Sequence, residues 1–103
     1  MVSKHYENRR CEREKFIDEY LGGDGKVIDS FVVDKGHKDG VERHDITSHG
    51  IIVVYNLLSG KLVTKLIARE GQLKRYYYNC SKNPPLWLIN LCRRHEDLGY
   101  NQL

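Results

Sequence analysis

The chain has 103 residues, of which 40% are apolar and 30% charged, and its formal net charge is +3. This length supplies the interior of one domain and excludes two, so we expect a single domain over residues 1–103. The longest apolar run, residues 51–55, is far below the ~18 residues of a membrane-spanning helix, and the amino terminus lacks an apolar signal core. We therefore expect a cytoplasmic protein with no membrane partner.

Metal and cofactor motifs do not occur in the sequence. Cys11, Cys80 and Cys92 are odd in number and widely spaced, which favours reduced thiols over a disulfide framework. Cys92 and His95 have helical i,i+3 spacing, but no CxxC or HxxxH pair supplies the further ligands of a zinc site. Glycine-rich phosphate-binding motifs are also missing. We expect no metal and no cofactor.

The first predicted element is a helix from residue 3 to residue 21, a segment with neither Pro nor Gly. An apolar stripe at helical spacing lies near its end and consists of Phe16, Ile17, Tyr20 and Leu21. The run Gly22-Gly23-Asp24-Gly25 then predicts a helix end and a chain reversal, because glycine adopts left-handed conformations without steric cost.

A series of short strands follows, each rich in β-branched or aromatic residues and bounded by turn signals. The predicted strands cover residues 26–33, 42–47, 51–55, 61–69 and 73–78. A polar loop at 34–40, a turn at 48–50 and a Ser-Gly turn within 56–61 separate the first four. The strand at 51–55 is wholly apolar and is expected to be the most buried.

Pro84-Pro85 ends sheet pairing and precedes an amphipathic segment that predicts a final helix. A solvated helix face explains its Arg93-Arg94-His95 run better than a phosphate or partner site does. The fold class is therefore α+β, with an N-terminal helix, an antiparallel meander of four to five strands and a C-terminal helix. We expect the helices to cover one face of the sheet and to leave the other open.

The open face is predicted to be basic and aromatic. Alternation places Lys61, Lys65 and Arg69 on one side of their strand, beside a neighbouring segment with three consecutive tyrosines. Cations neutralise phosphates and aromatic rings stack on unpaired bases, so RNA or single-stranded DNA suits such a face. The candidate nucleic-acid-binding residues are Arg43, Lys61, Lys65, Lys74, Arg75 and Tyr78. The alternative is that the tyrosines fill the core and the lysines are ordinary surface charges.

Histidines near the second strand offer acid–base chemistry. A histidine beside a bound phosphodiester can accept the proton of a ribose 2′-hydroxyl, while a second acid protonates the leaving oxygen. Alternation points His44 to the opposite side from Arg43 and Asp45. For His37, His44 and His49 the plain alternative is a surface histidine without a catalytic role.

The stretch from His37 through Tyr78 resembles phage- and prophage-borne members of the barnase, EndoU, colicin and RelE-like nuclease group. The resemblance lies in a histidine-bearing strand, an apolar strand, a turn, and a VTKLIA strand followed by a basic-aromatic segment. It implies an N-terminal helix, a four- or five-stranded antiparallel sheet and RNA cleavage without metal. It also implies His44 as general base or acid, Thr64 as a phosphate-positioning hydroxyl and Arg69 as charge stabiliser. Tyr76 or Tyr78 would orient or stack a base.

Two classes of function remain open at this point. The first is a metal-independent endoribonuclease of toxin or effector type, which cleaves by internal 2′-hydroxyl attack. The alternative is a non-catalytic phage or mobile-element accessory protein of anti-defence type, which binds nucleic acid or inhibits a host nucleoprotein complex. Both predict a nucleic-acid partner, with RNA favoured, and a host or immunity protein is a further candidate partner.

Overall fold

A computed structural model describes residues 4–36 and 40–100, which form a four-stranded antiparallel sheet preceded by one helix and followed by two. The elements are α1 (Lys4–Lys15), β1 (Val27–Asp34), β2 (Val41–Thr47), β3 (Ile51–Asn56), β4 (Leu62–Ile67), α2 (Glu70–Asn79) and α3 (Leu86–Asp97). The predicted α+β class and N-terminal helix are confirmed. Part of the predicted loop at 34–40, including His37, lies outside the described residues.

The sheet is a simple meander in the order β1-β2-β3-β4, as the turn signals predict. The first four residues of β3 are buried, so the prediction that this strand is the most buried is confirmed. The reversal before β1 requires glycine at Gly25, where φ is +88° and an added Cβ would lie 2.7 Å from Ser48 Oγ.

Helical segments pack on both faces of the sheet, so the prediction that one whole face is left open is wrong. Alternation along β3 sends Ile52 and Val54 to one face and Ile51 and Val53 to the other. The first pair packs against α2 and α3, and we call this side the α2 face. The second pair packs against Ile17, just after α1, and we call this side the α1 face.

The N-terminal helix changes its winding before it ends. Residues Phe16–Tyr20 continue α1 as a π-helical turn, with the Leu21 amide donating to the Phe16 carbonyl at 3.2 Å. The wider turn directs Ile17, fully buried, at the α1 face of β3 and β4. Tyr20 belongs to the predicted apolar stripe but is not buried with the rest of it, since 65% of Tyr20 is exposed.

The predicted strand at 73–78 is wrong, because these residues belong to helix α2. Leu73 and Tyr77, four residues apart, are both buried against the sheet, which is helical rather than strand spacing. The Gln72 side chain accepts a hydrogen bond from the Arg69 amide at 2.9 Å and so supports the first turn. Packing of this apolar stripe outweighs the strand preference of consecutive tyrosines.

The final helix α3 begins directly after Pro85, as predicted, and is joined to α2 by polar contacts. The Glu70 carboxylate contacts the Arg93 guanidinium and lies 2.6 Å from Lys74 Nζ. The Glu70 amide in turn donates to the Glu96 carboxylate at 3.2 Å. These contacts fix the start of α2 against α3. In the described part of the chain, every helix is too short or too polar to cross a membrane.

Candidate active site

His44 and Tyr76 meet at the α2 face of the sheet. His44 projects from β2 toward α2, and its Nδ1 lies 2.6 Å from the Tyr76 hydroxyl. The two rings meet edge to face, with centroids 5.5 Å apart. Phe31, from β1, stacks on the Tyr76 ring at 5.4 Å and fixes its position. The structure thus brings together two of the predicted catalytic residues, although one comes from a helix instead of the predicted strand.

Glu42 completes a hydrogen-bonded chain behind His44. Two residues apart on β2, the side chains share a face, and His44 Nε2 lies 2.9 Å from Glu42 Oε1. Lys35 Nζ lies 3.5 Å from the same carboxylate oxygen. The hydrogen bond from His44 lowers the pKa of Glu42, and the charge of Lys35 lowers it further against the opposing effect of burial. Glu42 is therefore ionised at neutral pH.

The protonation pattern of the three groups follows from their partners. Burial raises the pKa of Tyr76, and the nearby charge of Glu42 raises it further, so its hydroxyl keeps its proton. In the tautomer of His44 with its proton on Nε2, that nitrogen donates to the ionised Glu42 and Nδ1 accepts a hydrogen bond from Tyr76. A proton that leaves Tyr76 can thus pass to His44 and be stabilised by Glu42.

A cavity of about 250 Å³ opens in front of this pair, between β1, β2 and α2. Helix α2 contributes residues at positions 72, 75, 76 and 79, the spacing of one helix face. Two of the lining side chains, Lys35 and Arg75, are cationic and exposed. Among the described residues, the lining consists of Val33, Lys35, His44, Gln72, Arg75, Tyr76 and Asn79. Cations and amide donors around an acid–base pair suit an oxyanion such as a phosphodiester.

Thr64 and Arg69 do not line this cavity. Thr64 pairs with Val54, which in turn pairs with His44, so two strand spacings of ~4.8 Å separate Thr64 from His44. Its hydroxyl instead accepts a hydrogen bond from Arg13 at 3.4 Å. Arg69 precedes α2, seven residues and ~10 Å along the helix axis from Tyr76.

The predicted nucleic-acid-binding residues do not share one platform, and the basic-aromatic sheet face is wrong. Of the six, Arg75 alone lines the cavity. Lys65 lies on the α1 face and pairs with Asp24 at 3.0 Å, and Lys74 pairs with Glu70. Their positive charges are thereby partly neutralised. The other three occupy separate places: Arg43 on the α1 face, Lys61 in the β3–β4 turn, and Tyr78 on the outer side of α2.

Other candidates have structural partners. His49 is half-buried, and its Nδ1 lies 2.8 Å from the Gly23 carbonyl oxygen, so it ties the glycine-rich reversal to the β2–β3 turn. Tyr77 is buried, and its hydroxyl donates to Asp29, as the core alternative for the tyrosines predicts. Within the described residues, no three His, Cys, Asp or Glu side chains cluster as metal ligands would.

Sequence reasoning missed Glu42, Lys35, Gln72 and Asn79. Glu42 carried a usable signal, because residues two apart on a predicted strand share a face and Glu42 stands two before His44. Gln72 and Asn79 share the helical face of Arg75 and Tyr76. This helical spacing has no meaning in the predicted strand, so the sequence did not indicate these two residues. Lys35 follows β1, and no pattern in the sequence indicates that it is a site residue.

Comparison with models of protein families, with curated proteins and with solved structures gives no significant match for this chain.

Proposed function

We propose that this protein is a metal-independent endoribonuclease whose active site is the cavity beside His44 and Tyr76. The observation that carries the proposal is the 2.6 Å contact between His44 Nδ1 and the Tyr76 hydroxyl, at the wall of a cavity with two cationic side chains. The proposal includes kinship with the phage-borne nuclease group named above, for which a helix followed by an antiparallel sheet is expected and is present here.

The cavity suits one phosphodiester of an RNA chain. Its volume of about 250 Å³ lies just below the range of typical small-molecule sites, ~300–1,000 Å³. Arg75 offers a guanidinium fork for phosphate oxygens, Lys35 adds a second positive charge, and the Asn79 amide adds a hydrogen-bond donor. The ion pair of Lys35 with Glu42 is long, at 3.5 Å, so Lys35 can turn toward a bound phosphate.

Cleavage proceeds by attack of the ribose 2′-hydroxyl on the adjacent phosphorus. The attacking hydroxyl gives its proton to the Tyr76 oxygen as Tyr76 passes its own proton to His44 Nδ1, and Glu42 stabilises the resulting imidazolium. The bond from phosphorus to the 5′-oxygen then breaks, and the proton returns through Tyr76 to that leaving oxygen. Arg75 and Lys35 stabilise the added charge on phosphorus. The products are a 2′,3′-cyclic phosphate and a 5′-hydroxyl.

The test is incubation of the purified protein with end-labelled RNA in EDTA. Because side chains supply all acid–base and charge-stabilising groups, we expect fragments that end in cyclic phosphate. Tyr76→Phe keeps the ring on Phe31 but removes the hydroxyl, so cleavage should fall about 10²-fold or more. Tyr78→Phe is the matched control, since Tyr78 is exposed on the same helix and outside the cavity, and should cleave at the wild-type rate.

Substrate binding has its own matched pair. Arg75→Gln should weaken RNA binding about tenfold, as expected for loss of a charged hydrogen bond to phosphate. Arg94→Gln removes an exposed arginine on α3 that lies outside the cavity, and RNA affinity should not change. Cleavage that continues unchanged in both Tyr76→Phe and Arg75→Gln would place the active site elsewhere.

A second candidate function is RNA binding without cleavage, as an accessory protein of anti-defence type. The favouring observation is that both ring nitrogens of His44 already have protein partners, and the residue is only 8% exposed. Under this function the same RNA shifts in a mobility assay, loses the shift at high salt, and stays intact. Absence of both fragments and shift would contradict both functions.

A further inference from the structure

Arg43 is held in a fixed orientation on the α1 face, opposite the cavity. It neighbours His44 on β2, and alternation sends its side chain to the other side of the sheet. Its Nε lies 3.0 Å from Asp45 Oδ1, and its guanidinium carbon stands 4.8 Å over the centre of the Tyr55 ring. An ion pair and a cation–π contact thus define both the direction and the plane of the guanidinium.

Asp45 is a buried support for this arginine rather than a competing surface charge. The residue is 5% exposed, and the Ser30 hydroxyl donates to its Oδ1 at 2.6 Å. With Nε toward Asp45, the two terminal amino groups of Arg43 have no partner among the described side chains, while 44% of the Arg43 side chain is exposed. This arrangement presents a preorganised fork that matches two oxygens of one phosphate.

The path between this fork and the cavity is short. In the described residues, β1 is the edge strand and alone separates β2 from that edge of the sheet. Val32 pairs with Arg43 across the two strands and is 68% exposed, so the α1 face of β1 is uncovered there. Lys35, in the cavity wall, directly follows the last residue of β1. A flexible chain can therefore leave the cavity past Lys35 and round β1 to reach Arg43.

We propose that Arg43 binds a second phosphate of the RNA whose scissile phosphate occupies the cavity, so that the substrate is single-stranded RNA bent round β1. This inference rests on the proposed function. A double helix stays nearly straight over tens of nanometres, whereas a flexible single strand can pass round the edge strand β1, which lies only ~4.8 Å outside β2. Duplex RNA can reach the cavity or Arg43, but not both.

The experiment measures binding of 2′-O-methyl RNA, which cannot be cleaved by 2′-hydroxyl attack, by fluorescence anisotropy. A dodecanucleotide spans both sites and a trinucleotide fills only the cavity. Arg43→Gln should weaken dodecanucleotide binding about tenfold and leave trinucleotide binding unchanged. The slope of log affinity against log salt should fall by about 0.7 for the dodecanucleotide, the loss of one single-strand phosphate contact. Arg43→Lys keeps the charge but loses the fork, and should give an intermediate loss.

Loss of the Arg43 charge leaves the buried Asp45 without its ion-pair partner, so folding is controlled separately. The double variant Arg43→Gln/Asp45→Asn removes both charges and should show the same selective loss on the dodecanucleotide. Equal weakening of both oligonucleotides, or wild-type binding of the dodecanucleotide by a folded Arg43 variant, overturns the inference and leaves the proposed function intact. If the wild-type protein does not bind RNA at all, so that Arg75→Gln changes nothing either, the proposed function fails as well.

Discussion

His95 is a buried titratable residue that the proposed reaction does not use. It lies on α3, is 3% exposed, and packs edge to face against Phe16 at 6.2 Å. The Tyr100 ring lies beside Phe16, 4.4 Å from it, at the same centroid distance from His95. Its Nδ1 has no hydrogen-bond partner among the described residues. Burial lowers the pKa of His95 below its usual 6.5, and the charge of Arg94 lowers it further, so the imidazole is neutral in the folded protein at pH 7.

The lowered pKa makes stability depend on pH in a defined direction. The unfolded chain takes up a proton at His95 near pH 6.5 and the folded chain only at lower pH. The free energy of unfolding should therefore fall as pH drops below 6.5, until the folded pKa is passed. His95→Phe, which replaces an unpaired buried ring with an apolar one, should reduce this loss and be near neutral at pH 8. Urea unfolding of the wild type and of His95→Phe at pH 8 and pH 5 measures the loss in the free energy of unfolding. An equal loss in the two proteins would contradict the role given to His95.

Single residues of the site were predictable where one strand's alternation governs them. His44 was identified because its residue type and strand suggest acid–base chemistry, and alternation correctly separated it from Arg43 on the opposite face. Tyr76 is a candidate through the resemblance alone, which implies that it orients or stacks a base and not the proton-transfer role proposed for it, and its predicted strand is a helix. Thr64 and Arg69 rested on the resemblance, and the structure places both outside the cavity. Their distance from His44 depends on strand order and on the start of α2, which local spacing does not encode.

Helix α2 depends on contacts at its first turn, which position the residues of the cavity. Hydrogen bonds from Arg93 and Lys74 lower the pKa of Glu70 to about 2. The sequence pattern of residues 73–78 fits a strand by composition and a helix by the spacing of Leu73 and Tyr77. Contacts with the sheet and with α3 decide between the two, and both are long-range. This is why the predicted fifth strand, residues 73–78, could not be distinguished from a helix by its own sequence.

The Glu70 contacts predict a loss of stability in acid. With a folded pKa of about 2 and a usual value of 4.5, the stabilisation is complete above pH 4.5 and is lost as pH falls toward 2. Glu70→Gln should therefore lower the melting temperature at pH 6 but make little difference at pH 2. High salt should shrink the pH 6 difference, because all these groups are near the surface.

Glu19→Gln is the matched control for this prediction, because Glu19 is exposed in the π-helical turn and contributes to none of the α2 contacts. Its melting temperature should follow the wild type at both pH values. An equal gap between Glu70→Gln and the wild type at pH 6 and pH 2 would show that the carboxylate charge is not the stabilising element.

At the scale of the molecule, the sheet separates two apolar layers that meet only through its strands. The meander was predictable because each turn carries a local signal such as Ser59-Gly60, but the second layer was not. Ile51 and Val53 look the same in sequence as Ile52 and Val54, and an uninterrupted apolar strand indicates burial on both faces. The expectation of one open face contradicts that indication, and the structure agrees with the apolar strand. The alternating bases of β4 predict a solvent-exposed face. In the structure, Lys65 instead pairs with Asp24 under α1.

The shared strand predicts that both layers unfold together. Ile17 is fully buried on the α1 face, and Ile17→Ala should cost about 2–5 kcal/mol, a large part of the stability of a chain this size. Because β3 belongs to both layers, this loss should also destabilise the α2 face. Trp87, the single tryptophan, is the second residue of α3 and is 50% exposed, so its fluorescence reports on whether the helix that packs on the opposite layer stays folded. Its fluorescence midpoint in urea should fall together with the circular dichroism midpoint, and Ile52→Ala, a buried isoleucine on the α2 face, should lower both in the same way. Separate midpoints in Ile17→Ala would mean that the layers fold independently and that β3 does not couple the N-terminal helix to the cavity.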